Sequence, residues 1–269
     1  MDRILKKVKG WKERFLTKAG KETLIKAVAQ AIPNYILSCY KMPVGCWRNI
    51  DMMLARFWWG SNDEKRKIHW ISWDKLSKAK NRGGMGFRGM GEFNKSLLGK
   101  HCWRLTSGKS SLLEKVFKIR YYPNGNLLSA KEGYQPSYAW KSILSVRELV
   151  EKGGLWRVGD GKTIRIGKEN WVPDMKVSNH RRPNCTLDND GFVSNLIDAD
   201  TKQWKRDLIF SSFDRCLAQK IVSIPLSARL PPDSLTWQWE KDGIYSVRSV
   251  YHLVCEEKDR TMHGPSRPC

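Results

Sequence analysis

Apolar side chains return every three or four residues through the first half of the chain, and this spacing restricts the fold more than any other feature. Between Cys46 and Trp59, for example, Trp47, Ile50, Leu54 and Phe57 fall on one side of a helix. Such a stripe is typical of an amphipathic helix that packs against a core. The first half of the chain is therefore predicted to be helical.

Turn residues divide this helical half into segments. The spacing predicts helices at residues 1–16, 21–38, 46–59, 92–106 and 111–122. Pro33 lies inside the second segment and is expected to kink or end it, because proline has no backbone N–H to donate. Gly60 is expected to stop the third helix, and a serine at 110 or 111 is expected to cap the last.

The second half adds short strands to helices, the first of which is expected to be capped by Ser137 and to run to about residue 152. Residues 156–158 and 164–166 alternate apolar and charged side chains around Gly159-Asp160-Gly161, which predicts a small β-hairpin. Leu235 and Trp237 predict a further strand. A helix capped by Ser246 is expected next, followed by a disordered charged tail at 256–269.

The predicted fold class is mainly α, with a helical basic N-terminal part, a small β-hairpin and an α+β C-terminal part. Four segments are expected: 1–123, basic and helical; 124–173, a helix plus the hairpin; 174–192, a polar linker; and 193–269, a small α+β part.

Positive charge is concentrated at the front of the chain. Of the net +22, residues 1–123 carry +18 and residues 124–269 carry +4. The stretch 65–104 alone holds eleven Lys or Arg against two carboxylates, with aromatic rings between them. Cations attract phosphates and flat rings stack on unpaired bases, so this pattern indicates a nucleic-acid partner. A solvated basic surface and buried tryptophans are the simpler alternative.

The candidate phosphate contacts are the basic side chains of this stretch, namely Lys65, Arg66, Lys67, Lys78, Lys80, Arg82, Arg88, Lys100 and Arg104. Trp70 and Trp73 are candidates for base stacking, with a role as core anchors as the alternative. The Gly83-Gly84-Met85-Gly86 run is most simply a turn, although its bare amides are also suited to a phosphate.

The sequence contains no recognisable motif for catalysis or metal binding. The sequence has no adjacent Asp pair of the kind that holds two metal ions in a polymerase. Gly161-Lys162-Thr163 lacks the earlier glycine and the following helix of a phosphate loop. Cys255, His263 and Cys269 lack zinc-site spacing, so no metal and no cofactor are predicted.

The scattered cysteines and the hydropathy indicate an intracellular protein, in the nucleus or the cytoplasm. Seven cysteines without a C-x-x-C pair fit free thiols in a reducing compartment. The longest uncharged apolar run, 27–40, contains Pro33 and is shorter than the roughly 20 residues of a membrane span. No membrane partner is expected.

A resemblance to a known family covers about residues 11–254. HWISWDKL, KAKNRGGMGFRGM and FNKSLLGKHCWRL follow one another, with WKERFLTKAGKETLIKAVAQAIPNYILSCYKMP before them. PSYAWKSILSVRELVEKGGLWRVGDGKTIRI and DGIYSVRSVYHLV come after. In this order they resemble plant non-LTR (LINE-type) retrotransposon reverse transcriptases, in the thumb or connection region between the polymerase core and a zinc-binding segment.

The resemblance implies a non-catalytic C-terminal fragment of such a reverse transcriptase. The fragment would grip template RNA or an RNA–DNA hybrid through its basic surface, with other parts of the parent polyprotein as further partners. Residues 193–269 would begin a truncated zinc-binding-domain-like region, and the parent family would be an RNA-directed DNA polymerase. An inactive relic, or a protein-interaction scaffold without a nucleic-acid role, is the alternative.

Overall fold

The computed structural model describes residues 16–60, 67–108, 111–123, 125–180, 182, 187–188 and 190–263. The chain forms two compact units, one made of residues 1–147 together with 246–269 and the other of residues 148–245. This division differs from the four predicted segments, because the C-terminal helix returns to the first unit. The helix predicted at 1–16 lies almost wholly outside the described residues.

The first unit is built from helices separated by short turns. Its helices are α1 Lys18–Leu24, α2 Asn34–Cys39, α3 Val44–Trp59, α4 Trp73–Ser77, α5 Met90–Thr106, α6 Leu112–Tyr121, α7 Tyr138–Leu144 and α11 Val247–His263. A π-helical turn, Ile25–Ala29, follows α1, and 3₁₀ turns occur at Lys80–Arg82 and Leu127–Ser129. The predicted break at Pro33 is confirmed, since α2 begins directly after it.

Local sequence signals set the ends of these helices as predicted. Gly60 ends α3 in the left-handed region, with φ 70°. The Ser111 hydroxyl accepts a hydrogen bond from the backbone N–H of Glu114 at the start of α6. Ser137 does the same for Trp140 at the start of α7.

The core of the first unit joins distant parts of the chain. Its buried members are Ile25, Ala29, Leu37, Ile50, Leu54, Phe57, Trp58, Leu76, Phe87, Met90 and Phe93. Helix α11 packs against α5, where Tyr251 meets the Phe93 ring edge-on at 6.3 Å and its hydroxyl accepts a hydrogen bond from the Gly89 amide. The tail predicted to be disordered is therefore helical as far as His263, and residues 264–269 lie outside the described part.

The second unit holds the remaining helices and a two-stranded antiparallel sheet. Helix α8, Arg147–Gly153, leads into it, and α9 Arg206–Ser212 and α10 Arg215–Ser223 lie within it, with 3₁₀ turns at Val177–His180 and Val193–Leu196. The predicted fold class, mainly α with a small antiparallel β element, is confirmed. The pairing is not the local one that was predicted: β1 Gly154–Arg157 pairs with β2 Ser234–Trp237, so that Trp156 faces Leu235.

The segment after β1 turns away to other partners. Arg165 forms an isolated bridge with Phe192, which places Ile164 and Ile166 in the core of the second unit. The predicted linker, 174–192, is part of this unit, since Val177 is buried in the same core. In the described part of the chain, no helix has the length and apolar character needed to cross a membrane.

Candidate nucleic-acid interface

The predicted basic residues that the structure describes lie in four settings of the first unit. Lys65 and Arg66 lie outside the described residues. Lys67 is exposed in the extended stretch before α4. The exposed Arg88 places its guanidinium carbon 4.8 Å from the centre of the Phe93 ring. The others lie on the 78–82 turn and on α5.

The turn at 78–82 is paired with carboxylates of α11. The Lys78 ammonium lies 3.2 Å from the carboxylate of Asp259. The Arg82 guanidinium lies 2.9 Å from Glu256 and 3.8 Å from Asp259. The sequence could not show these pairs, because their members are far apart in the chain and the acidic helix was expected to be disordered.

Lys80 on the same turn is paired with a carboxylate of helix α1. Its ammonium lies 3.1 Å from Glu22, which also binds Lys26 at 2.7 Å. The hydrogen bonds from Lys26 and then Lys80 lower the pKa of Glu22. All three candidate cations of the turn therefore already have carboxylate partners, although the side chains of Lys80 and Arg82 remain half exposed or more.

The glycine-rich turn that follows uses its amides internally. The backbone N–H groups of residues 83–86 donate to carbonyl oxygens between residues 76 and 80 at 2.8 to 3.2 Å. Gly84 permits this close approach, because a Cβ there would lie 2.0 Å from the Lys78 carbonyl oxygen. The suggestion that these amides bind a phosphate is therefore wrong, since their donors are occupied.

The two tryptophans proposed for stacking differ in their surroundings. Trp70 has 77% of its surface exposed. Trp73 instead stacks on Phe87, with centroids 4.9 Å apart and planes 6° apart. Its indole N–H donates to Asp51 at 3.2 Å. Trp70 is therefore open to a base, whereas Trp73 serves the core.

Helix α5 presents two candidate cations that have no carboxylate partner among the described residues. Lys100 and Arg104 lie one turn apart on it and are exposed. Within the described part of the chain, neither forms an ion pair. Burial lowers the pKa of the neighbouring His101, and the charges of Arg104 and Lys100 lower it further, which reflects the local positive field.

A groove of about 1110 Å³ lies between α3, α4, α5 and α11. Four carboxylates line it, those of Asp51, Asp74, Glu92 and Glu257. The Lys258 ammonium lies 3.1 Å from Asp74 and 3.0 Å from Glu92. Burial raises the pKa of Asp51 to about 7; the Trp73 hydrogen bond opposes this rise and the charge of Glu92 adds to it. This cluster has no signature in the sequence, because its members come from separate elements.

The carboxylate cluster does not constitute a metal centre. Among the residues that the structure describes, no group of three or more His, Cys, Asp or Glu side chains is placed to hold a metal ion. The ammonium of Lys258 occupies the space between Asp74 and Glu92 that a cation would need. The groove thus combines an acid of raised pKa with an internal ion pair.

In the second unit, the Gly159–Thr163 turn binds the side-chain carboxylate of Asp233. One oxygen of Asp233 accepts the Gly159 and Gly161 amides at 2.8 and 2.9 Å. The other accepts the Thr163 amide at 3.0 Å and its hydroxyl at 2.8 Å. Burial opposes ionisation, but these hydrogen bonds outweigh it and lower the pKa of Asp233. The turn is therefore filled by a carboxylate and is not an open phosphate loop.

Two relatives from Arabidopsis thaliana match the chain. One is named as a ribonuclease H protein, At1g65750. It is 31% identical over an alignment of 266 residues that covers 94% of this chain and 42% of that protein. The other, the uncharacterized mitochondrial protein AtMg00310, is 37% identical over 145 residues, which are 54% of this chain and 94% of that protein. The chain thus spans less than half of the longer relative. No family model matches the chain.

Proposed function

We infer that this chain, which belongs to the same family as the uncharacterized mitochondrial protein AtMg00310 of Arabidopsis thaliana, is a nucleic-acid-binding segment of a retrotransposon-type reverse transcriptase. The collinear motifs between residues 11 and 254 support this proposal. The match along 94% of the chain to a protein named as a ribonuclease H protein fits it, because such a name points to nucleic-acid processing.

The observation that carries the proposal is the exposed cationic face of α5. Lys100 and Arg104 stand one turn apart, and no carboxylate neutralises them within the described residues. The chain as a whole carries a net charge of +22. Unpaired cations on a rigid helix bind the phosphate backbone without having to break internal ion pairs first.

The preferred ligand in this proposal is RNA or an RNA–DNA hybrid. Contacts to phosphates fix position and carry no sequence information, so we expect binding without base specificity. The chain is not expected to polymerise, because its sequence has no adjacent Asp pair. Any catalytic step would belong to other parts of a longer protein.

The test is a fluorescence-anisotropy titration of the full chain with labelled RNA and RNA–DNA hybrid over a series of salt concentrations. The variant is Lys100→Gln/Arg104→Gln. Each phosphate contact contributes about 0.7 to 0.9 to the slope of log affinity against log salt. We therefore expect the slope of the variant to be flatter than that of the wild type by roughly 1.4 to 1.8.

The matched control is Lys205→Gln/Arg206→Gln, which removes two exposed cations from the second unit. It should leave most of the salt dependence unchanged if α5 is the contact surface. Equal slopes for the wild type and the α5 variant would refute this site. Binding that ignores salt would refute the nucleic-acid function as a whole.

An interaction scaffold remains the second candidate, and an exposed apolar stripe on α6 favours it. Leu112, Val116 and Ile119 lie on this helix with most of their surface open to solvent. Contiguous exposed apolar residues are typical of protein contacts. A chain that binds no RNA and also self-associates, as seen by analytical ultracentrifugation, would support the scaffold.

A further inference from the structure

Two tyrosine rings meet on the surface of the first unit. The centroids of Tyr40 and Tyr138 are 5.7 Å apart, with planes tilted by 33°. The two residues remain 43% and 54% exposed. Both rings thus keep a large apolar surface in contact with solvent.

Buried polar side chains hold this surface in place. Asn94 is 4% exposed; its amide N–H₂ donates to the Tyr40 carbonyl at 2.8 Å and its oxygen accepts the Met42 amide at 2.9 Å. Ser142 is 1% exposed, and its hydroxyl accepts the Lys41 amide at 2.9 Å. Buried polar groups with satisfied hydrogen bonds fix one backbone conformation. The loop that carries Tyr40 is therefore rigid.

The second ring is tied to the same loop. The Tyr138 hydroxyl donates to the Lys41 carbonyl at 2.5 Å. Tyr138 is the first residue of α7, which Ser137 caps. The two rings therefore belong to one pre-organised surface, and a ligand that used them would not have to order a flexible loop.

Two exposed lysines, Lys41 and Lys141, accompany the rings. Lys41 is next to Tyr40 in the chain, and Lys141 lies one helical turn from Tyr138. Both lysines are exposed, and neither forms an ion pair with any residue that the structure describes. Exposed aromatic rings beside unpaired cations match a ligand with flat apolar faces and a phosphate backbone.

We propose that Tyr40, Lys41, Tyr138 and Lys141 form a stacking surface for unpaired bases of single-stranded nucleic acid. This surface uses residues other than Lys100 and Arg104 of α5, and it rests on the proposed nucleic-acid function. It gives the segment a preference for single strands, because the bases of a duplex are already stacked on each other.

The test compares a short oligouridine strand with an RNA–DNA hybrid in anisotropy titrations of the full chain. Loss of one stacked base costs about 5- to 100-fold in affinity. We expect Tyr40→Leu/Tyr138→Leu, which keeps apolar bulk but removes both rings, to weaken oligouridine binding by that factor. Its affinity for the hybrid should stay within about two-fold of the wild type, since hybrid bases do not stack on protein.

Three controls make the result decisive. Tyr134→Ala removes a tyrosine that is 89% exposed and outside the pair, and it should bind like the wild type. Tyr40→Phe keeps the ring and should also bind normally. Photocrosslinking of 5-iodouridine-substituted strand to the wild type should label Tyr40 or Tyr138 and does not depend on the stability of any variant.

The outcomes separate this surface from the α5 face. Unchanged oligouridine affinity in the leucine variant, or crosslinks only at other residues, would overturn the stacking surface while leaving the α5 site intact. Equal loss on the strand and the hybrid would also overturn it, since phosphate contact alone would explain that result. A wild-type chain that binds neither ligand would refute the proposed function itself.

Discussion

Asp233 is expected to stabilise the second unit as the internal anion of the Gly159–Thr163 turn. The substitution Asp233→Asn keeps an oxygen for the Gly159 and Gly161 amides. It places an N–H₂ group where the other oxygen accepts both donors of Thr163. The amide of Thr163 then loses its acceptor, whereas the hydroxyl can rotate towards water.

The size of the effect follows from these lost hydrogen bonds. Hydrogen bonds to a charged group contribute about 1.5 to 3 kcal/mol each, and partial exposure of Asp233 reduces this figure. We expect the variant to lose about 2 kcal/mol of unfolding free energy at pH 7. For a chain of this size, that loss lowers the melting temperature by roughly 4 to 8 °C.

The pH dependence gives the decisive measurement. The pKa of Asp233 is lowered in the folded state, so its contribution is complete above the unfolded value of about 3.9. The contribution disappears as pH falls through the lower folded pKa, where the protonated acid becomes a neutral group like asparagine. The stability difference between wild type and variant should therefore shrink below about pH 4.

Urea unfolding followed by tryptophan fluorescence at pH 7 and at low pH measures this difference. Asp200→Asn is the matched control, because Asp200 is exposed and lies in the same unit. Equal stabilities of wild type and Asp233→Asn at pH 7 would contradict the reasoning. A difference that persists unchanged at low pH would contradict the assignment to the charge of Asp233.

Two further predictions concern the first unit. Arg82→Glu should lower the unfolding free energy by about 1 kcal/mol, because it places a carboxylate next to Glu256. The charge swap Arg82→Glu/Glu256→Arg should restore most of this loss, as measured by urea unfolding. No recovery in the swapped variant would contradict the pairing of these two residues. Asp51→Asn should raise stability at pH 8 by roughly 4 kcal/mol, because the folded pKa of about 7 makes ionisation costly as pH rises from about 4 to 7. The two proteins should be nearly equal at pH 4, and a constant difference across this range in calorimetry would contradict the burial of Asp51.

Local sequence signals predicted where most helices begin and end. The hydroxyls of Ser111 and Ser137, the ring of Pro33 and the missing Cβ of Gly60 act within a few residues of their own positions. A single sequence is sufficient to recognise such effects. The mainly α fold class follows from them together with the helical spacing of apolar residues.

Pairing across long separations was not predictable from the same signals. The alternation at 156–158 indicates a strand but contains no information on its partner, and β1 pairs with β2 about 80 residues later. The turn between the predicted hairpin strands is occupied instead by the carboxylate of Asp233. A carboxylate contributed from so far along the chain has no signature in the local pattern.

The candidate site shows the same limit. The composition of 65–104 shows many cations, but it does not reveal which of them meet carboxylates. The acids of α11 pair with Lys78 and Arg82, whereas Lys100 and Arg104 on α5 keep their charge exposed. The tyrosine pair escaped notice because Tyr40 and Tyr138 lie almost 100 residues apart.

The order of the chain in the first unit affects how the protein is made. Residues 148–245, which form the second unit, are translated before α11. Helix α11 nevertheless belongs to the first unit, where it packs on α5 and its Tyr251 hydroxyl accepts a hydrogen bond from the Gly89 amide. A nascent polypeptide that has left the ribosome only as far as residue 147 thus exposes an unfinished apolar surface. We expect chaperones to stay bound to this incomplete chain until the last helix has been translated. A premature stop codon anywhere in the second unit should therefore damage both units, because it also removes α11.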